Sequence, residues 1–368
     1  MILAENLIKA LKKNNIDFYT GVPDSILKKF SACLEKLPKK NHIISTNEGS
    51  SVATGIGYYL STKKIACVYL QNSGLSNAIN PLLSIASAGV YSIPLLLIIG
   101  WRGSPGMKDE PQHVAKGKIT KKILKLLKID FCILKKPNDL HKLKRLINNS
   151  YEKKKIVACL IEKGTLKSNI KLKKQKSQKN QILRSEFIKE FLKNIPKSSK
   201  IVSTTGYTSR ELMQLRQVEK LYNGKDFYMV GGMGHSAMVA LGYSLRSNRE
   251  IFCLDGDGSI LMHLGSLRTA GHNNRTKFKH ILLNNGTHES VGGQSTTAAG
   301  IDFKNLIKSI GYKNYFQIKR KNKVKIELKR FIKSKGPSFL EVKIKNGSMK
   351  NLIRPKNLIY IKNKFMSK

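Results

Sequence analysis

The chain has 368 residues, 40% of them hydrophobic, which suffices for two domains with ordinary cores and excludes a disordered chain. No apolar run approaches the roughly 20 residues of a membrane-spanning helix, the longest candidate being the strand-sized Ile93–Gly100. Lys and Arg total 68 against 23 Asp and Glu, a formal net charge of +45. The lysines are spread along predicted helix faces rather than gathered into an arm, and no zinc-finger, helix-turn-helix or aromatic RNA-binding signature accompanies them. Neither a membrane nor a specific nucleic acid is therefore an expected partner. The surface charge suits attraction of a polyanionic small molecule.

In chain order, the segment MILAENLIKALKKNN reads as an amphipathic helix rather than a secretory signal. Strand-like runs come next at Ile65–Leu70, Ile93–Ile99, Phe131–Leu134 and Ile156–Ile161, with helical patterns over Ser50–Leu60 and Leu75–Ala88. Residues 168–181, SNIKLKKQKSQKNQ, are polar with few apolar anchors and read as a linker. Beyond it come strands at Lys200–Ser203, Phe227–Val230, Ile251–Leu254, His280–Leu283 and Ser338–Val342. Helices are expected over Glu186–Lys193, Ser236–Leu245 and Ser259–Ala270. Unbroken apolar strands alternating with helices imply parallel sheets covered on both faces. The expected fold is thus α/β: two doubly wound parallel-sheet domains, residues 1–167 and 182–368, with no middle domain. The five cysteines form no CxxC pair, and four sit in apolar runs, which predicts buried free thiols in a reducing, cytoplasmic setting.

Chemistry concentrates in the second half. Gly256-Asp257-Gly258 directly follows one strand, and Asn284-Asn285 follows the next, 25 residues later across one crossover helix. Both motifs then lie at the carboxyl ends of adjacent parallel strands, where open α/β sheets bind ligands. A carboxylate and an amide oxygen converging there suit a hard cation such as Mg²⁺. Glycines let backbone N–H groups approach a diphosphate. In the first half, Glu48 precedes a small-residue helix, and Asp24-Ser25 precedes another, with Ser25 and nearby N–H groups able to meet an anion. Arg102, Lys108, Gln112 and His113 share a loop long enough to close over a substrate. Arginine suits an oxyanion through its planar fork, and His113 is a candidate proton donor. His288, beside the Asn285 turn, is its rival.

The pairing of GDG with NN resembles the signature of thiamine-diphosphate-dependent enzymes. The resemblance implies thiamine diphosphate and Mg²⁺ as cofactors, with the metal held by Asp257, Asn285 and the backbone carbonyl of Thr287. It implies diphosphate contacts from Gly258 and Ser259. Glu48, in STNEGSSVATGIGYYL, takes the place of the acid that faces the aminopyrimidine nitrogen. In YMVGGMGHSAMVALG, Met233 takes the place of the bulky residue that bends the cofactor, with Gly231 carbonyl and Met233 N–H on the pyrimidine. The phrases TGVPDS, YLQNSGLSNAINPLLS, IGWRGSPGMKDEPQHVAKG, STTGYTSREL, HESVGGQSTTA and GSMKNLIRP resemble the phosphonopyruvate decarboxylase family across nearly the whole chain. That implies a small anionic 2-oxo acid, 3-phosphonopyruvate, converted to phosphonoacetaldehyde and CO₂ in phosphonate biosynthesis. Sulfopyruvate decarboxylase is the near alternative; a basic nucleic-acid-binding protein on a decayed enzyme fold is the remote one. Gln71 and Asn72 stand near where other family members place a catalytic histidine and are candidate substrate contacts, along with Asp24, Ser25, Arg102 and Gln112. The resemblance also implies a homodimer or homotetramer with active sites between subunits.

Overall fold

The computed structural model describes residues 1–170, 180–217, 221 and 224–367. The chain divides into two compact units, Met1–Lys174 with His288–Gln294, and Gln175–Thr287 with Ser295–Lys368.

In the first unit, six parallel strands run in the order His42–Ile44, Tyr19–Gly21, Ala66–Gln71, Leu95–Gly100, Val157–Ile161 and Asp130–Leu134. The central strand shows why the sheet is covered on both sides. Leu96 and Ile98 pack with Leu7, Phe30 and Tyr69, whereas Leu95, Leu97 and Ile99 pack with Val52, Val68 and Leu124. A strand buried on both faces gives the continuous apolar run seen in its sequence.

The second unit repeats the plan. Its parallel strands run Phe227–Tyr228, Lys200–Ser203, Ile251–Gly256, Phe278–Asn284, Ser338–Lys345 and Asn314–Ile318. Phe252 and Leu254 face one core cluster, Ile251 and Cys253 the other. Numbered in chain order within each unit, these strands lie in the same order, 2-1-3-4-6-5, in both sheets. Strand order reverses between the first and third strands, the crevice where such sheets take ligands. Each unit also opens with the same device, an Ile-Leu pair that joins a parallel ladder and leads straight into a helix. Ile2–Leu3 pairs with Leu166–Lys167 before helix Ala4–Lys13, and Ile182–Leu183 pairs with Ile344–Lys345 before helix Arg184–Asn194.

Several elements differ from expectation. The helix expected over 75–88 is a helix only over Leu75–Pro81, continued by a π-helical turn at Leu82–Ala86. Pro81 lacks the N–H that would bond the preceding turn, so the regular ladder stops there. The helix expected over 259–270 is two, Asp257–Met262 and Ser266–His272. The break falls at His263–Gly265, where the His263 ring stacks on His235 with centroids 4.4 Å apart. The expected linker lies mostly on residues 171–179, outside the described residues. Its first residues are tied down, with Ser168 Oγ and Asn169 N–H both donating to Glu5 Oε1. All five cysteines are free; Cys33 lies in helix Lys28–Leu34 and the other four in strands.

Two lysines inside strands have no counterpart in the apolar pattern. Lys200 Nζ donates to the carbonyls of Phe365 and Ser367 at 2.7 and 2.9 Å, closing the end of helix Leu358–Met366. Lys279 Nζ donates to Phe331 O at 2.9 Å, Ile332 O at 2.7 Å and Ser334 O, closing helix Val324–Lys333. A cation at a helix carboxyl end satisfies carbonyls that lack intrahelical donors and opposes the helix dipole. Lys279→Met is expected to lower the unfolding free energy by about 3 kcal/mol, because buried carbonyls lose their donor. Denaturant unfolding checks this, and an unchanged midpoint would refute it.

Candidate active site

In the first unit, Glu48 is the first residue of helix Glu48–Thr62, whose start is capped by Asn47 Oδ1 accepting from Ser50 N–H at 2.8 Å. Its side chain is buried, 5% exposed, and Oε2 accepts from Asn77 Nδ2 at 2.9 Å. A Cβ on Gly74 would fall 1.9 Å from Glu48 Oε1, so any larger residue there would have to displace the carboxyl from this position. Burial pushes the Glu48 pKa up, against the opposing pull of Asn77 and of the Lys116 charge. Asn77 and Gly74 lie in the phrase YLQNSGLSNAINPLLS, but nothing in the sequence pointed to their contact with Glu48.

The structure brings Ser25, Asn72 and Arg102 together at the reversal point of the first sheet. Arg102 is not a free cation: Nε donates to Asp109 Oδ2 at 2.7 Å, Nη2 donates to Oδ1, and Nη1 donates to Ser25 Oγ at 3.1 Å. An anionic ligand at Arg102 must therefore compete with Asp109, whose carboxyl is held well below the usual range even though burial alone would raise it. Asn72 is a scaffold residue here. Its Nδ2 donates to Arg102 O at 3.0 Å and Thr120 Oγ1 at 2.9 Å, while Oδ1 accepts from Arg102 N–H at 3.1 Å. Gln71 Nε2 donates to its neighbour Ser73 Oγ. The start of the loop expected to close over a substrate is also anchored. Gly103, at φ +64°, has no room for a Cβ, which would lie 2.0 Å from His113 O, and a Cβ on Gly117 would lie 1.7 Å from Gly103 O. Gln112 and His113 are half-buried in the first turn of helix Pro111–Leu126, and Lys108 is exposed.

Asp24 is almost fully buried, and its Oδ2 accepts from Ile26 N–H and Leu27 N–H, each at 2.8 Å. It therefore caps the turn that carries Ser25. Among the described residues its Oδ1 is buried with no hydrogen-bond partner. Burial pushes its pKa up to about 6, against the Leu27 and Ile26 N–H groups and the Arg102 charge. A raised pKa in the folded state means stability that is full below the unfolded value and is lost as pH rises through about 6. Asp24→Asn is expected to flatten this loss, on the order of 2 kcal/mol, in melting temperatures compared between pH 5 and 8. An unchanged slope would show that Asp24 does not titrate there.

In the second unit, Asp257 begins the turn after strand Ile251–Gly256, is 2% exposed, and accepts a hydrogen bond from Thr296 Oγ1. Burial pushes its carboxyl up to about 6, with hydrogen bonds from Thr296 and backbone N–H groups opposing. Asn285, one strand over, donates from Nδ2 to Asn346 Oδ1 at 2.9 Å, and its Oδ1 accepts from Thr287 N–H at 3.2 Å. Thr287 Oγ1 donates to the same Asn346 Oδ1 at 2.8 Å, and Thr287 bridges Ser295. Gly258 is buried in the same turn as Ser259. Ser259 Oγ accepts from Thr204 Oγ1 and from Gly234 N–H, both at 3.0 Å, which ties this turn to the glycine-rich segment holding Gly231 and Met233. Gly232 and Gly234 sit at φ +64° and +92°, conformations that leave Met233 half-buried between them.

Beneath the turn, Asp255 Oδ1 accepts from Gly256 N–H at 2.9 Å, Oδ2 lies 3.4 Å from His280 Nε2, and His280 Nδ1 is 3.0 Å from Tyr312 Oη. Cys253 lies beside Asp255 and His280, a cluster drawn from neighbouring strands that sequence spacing does not show. His288 falls within the first unit, in the segment that places Gln294 Nε2 3.0 Å from Ser31 Oγ. Burial pushes the His288 pKa down to about 4, so its ring is neutral at pH 7.

The chain matches two family profiles, "Thiamine pyrophosphate enzyme, N-terminal TPP binding domain" over residues 1–123 and "Thiamine pyrophosphate enzyme, C-terminal TPP binding domain" over residues 204–342. It is 32% identical to a phosphonopyruvate decarboxylase of Streptomyces viridochromogenes, across 97% of this chain and 92% of that one. A phosphonopyruvate decarboxylase of Streptomyces hygroscopicus is 30% identical over 97% and 91%. A sulfopyruvate decarboxylase of Methanosarcina acetivorans is 27% identical over 94% and 92%. Among the described residues, no helix is long and apolar enough to cross a membrane. A duplicated parallel-sheet plan and both family profiles along one chain have a single reading: this protein belongs to the thiamine pyrophosphate enzymes, as a thiamine-diphosphate-dependent decarboxylase related to the phosphonopyruvate enzymes.

Proposed function

We propose that the chain decarboxylates 3-phosphonopyruvate to phosphonoacetaldehyde and CO₂ with thiamine diphosphate and Mg²⁺, in phosphonate biosynthesis. The similarity to phosphonopyruvate decarboxylases over 97% of the chain carries the choice of substrate. Residues 1–167 serve as the pyrimidine-binding domain and residues 182–368 as the diphosphate-binding domain.

The residues present suit the cofactor. Asp257 is a carboxylate buried at a cost that a cation would offset, as its raised pKa shows. An amide oxygen on Asn285 and the Thr287 carbonyl complete an all-oxygen donor set of the kind Mg²⁺ prefers. The Gly256–Ser259 turn offers backbone N–H groups to the diphosphate. Because Ser259 Oγ accepts two hydrogen bonds and its hydroxyl is bonded to the Asp255 carboxylate, its N–H is the better diphosphate contact. Glu48 would hold a proton at the aminopyrimidine nitrogen, and burial pushes its pKa up from that of an ordinary glutamate. Gly231 carbonyl and Met233 N–H would orient the pyrimidine, and the Met233 side chain would supply the bulky apolar support that the bound cofactor needs.

When bound, thiamine diphosphate supplies the electron sink for loss of CO₂. The chain's own groups then meet the multiply charged substrate. Ser25, Arg102, Gln71 and Gln112 are its contacts, with Asp109 holding the Arg102 fork in place until an anion competes for it. His113 is preferred over His288 as proton donor, because desolvation pushes the His288 pKa down to about 4 and leaves its ring neutral at pH 7. The working form is a homo-oligomer, and an active monomer on gel filtration would refute that.

The test is aldehyde and CO₂ release with thiamine diphosphate and Mg²⁺ on phosphonopyruvate, sulfopyruvate and pyruvate in parallel. Preference for phosphonopyruvate is expected. Preference for sulfopyruvate would transfer the chain to the substrate of the Methanosarcina acetivorans relative, with the same cofactor residues.

A further inference from the structure

One side-chain atom organises two of the three groups assigned to Mg²⁺. Asn346 stands just past the end of strand Ser338–Lys345, next to strand Phe278–Asn284, whose end carries Asn285. Its Oδ1 accepts from Asn285 Nδ2 at 2.9 Å and from Thr287 Oγ1 at 2.8 Å. We infer that Asn346 is the positioning residue that turns the Asn285 amide oxygen, and not its nitrogen, toward the metal, and that fixes the Thr287 turn beside it.

Donor and acceptor identity decides the orientation. An asparagine amide has two chemically opposite ends of nearly the same shape, and only the oxygen end ligates a hard cation. A neighbour that accepts on the Asn285 nitrogen side removes the ambiguity. A group that hydrogen-bonds a ligand in this way sets its orientation and is commonly responsible for a large share of the affinity. Thr287 N–H, donating to Asn285 Oδ1 at 3.2 Å, agrees with the same orientation.

The chain on the carboxyl side of Asn346 is itself anchored. This stretch has no regular structure, yet it is bound along helix Tyr207–Gln217 through Met349, Lys350, Leu352 and Ile353. Met349 N–H donates to Glu211 Oε1 at 2.9 Å, and Gln214 Nε2 donates to Lys350 O at 3.2 Å. Ile353 N–H donates to Gln214 Oε1 at 3.1 Å, and Arg210 Nη2 donates to Leu352 O at 3.1 Å. Glu211 is fully buried, with Arg184 Nη1 3.5 Å from its Oε2. Gly347, at φ +139°, makes the bend between Asn346 and this strap in a conformation that glycine alone adopts freely. The strap accounts for the phrases STTGYTSREL and GSMKNLIRP, far apart in sequence, as two halves of one support for the metal turn.

The inference rests on the metal reading under the proposed function, and the experiment separates the two. Mg²⁺ is titrated into full-length protein at fixed thiamine diphosphate, and retained cofactor is measured by equilibrium dialysis for the parent, Asn346→Ala and Asn346→Asp. Half-saturating Mg²⁺ is expected to rise about 10–100-fold in Asn346→Ala. Asn346→Asp keeps an acceptor toward both donors and is expected to stay near the parent. The melting temperature of the cofactor-free protein is expected to change little in either. Equal Mg²⁺ dependence in Asn346→Ala and parent overturns the inference alone, as does an Asp variant as weak as the Ala variant. A parent that retains cofactor without regard to Mg²⁺ overturns the metal reading, and the inference with it.

Discussion

Glu48→Gln is expected to lower decarboxylation about 10²–10⁴-fold while thiamine diphosphate still binds close to parental affinity. The substitution conserves shape: the side chain keeps an oxygen to accept from Asn77 Nδ2 and stays packed against Gly74. What it removes is a proton that can come and go. An amide can hydrogen-bond a ring nitrogen but cannot give up a proton to it, so binding and turnover should separate. The parent's pH profile should carry an apparent pKa above that of an ordinary glutamate, because burial favours the neutral acid. The comparison needs single-turnover rates beside calorimetric cofactor affinities. Turnover by the Gln variant near the parent rate would end the acid–base role assigned to Glu48.

Asp257→Ala should act on binding instead. Its carboxylate is the one anionic donor in the set assigned to Mg²⁺, and it is nearly fully buried. Removing it should raise half-saturating Mg²⁺ beyond the 10–100-fold that supporting residues typically carry, with cofactor lost in parallel because the diphosphate is held through the metal. In the metal-free protein the same change should be neutral or stabilising, since it removes a buried carboxylate whose pKa is raised to about 6. Opposite signs with and without Mg²⁺, read by thermal melts and dialysis, distinguish a metal ligand from a packing residue. Destabilisation in both conditions would mark Asp257 as structural.

Much of this site was legible because it is local. The Asp257 and Asn285 turns each follow a strand and are separated by one crossover, so spacing alone places them at the ends of neighbouring strands. Glu48 was legible through the motif around it. The supporting residues were not legible. Asn77 meets Glu48 from 29 positions away, Thr296 meets Asp257 from 39, and Asn346 meets Asn285 from 61. Nothing in hydrophobic periodicity encodes which polar side chain will face which. Arg102 shows the opposite case. Its residue type suggested a phosphonate contact, but its closest anion is Asp109, only seven positions on, within a turn that reads as merely polar.

The sequence by itself therefore determined the class of fold and the chemistry. Continuous apolar strands alternating with helices can be buried only as parallel sheets covered on both faces, and two short motifs one βα unit apart specify where a diphosphate and a cation can sit. The tertiary structure alone decided the shared 2-1-3-4-6-5 strand order, the cluster of Cys253, Asp255 and His280, the lysines that close helix ends, and the strap from Asn346 to Arg210. These depend on which distant segments become neighbours, and that is settled by the packing of whole layers rather than by the preferences of any one stretch of chain.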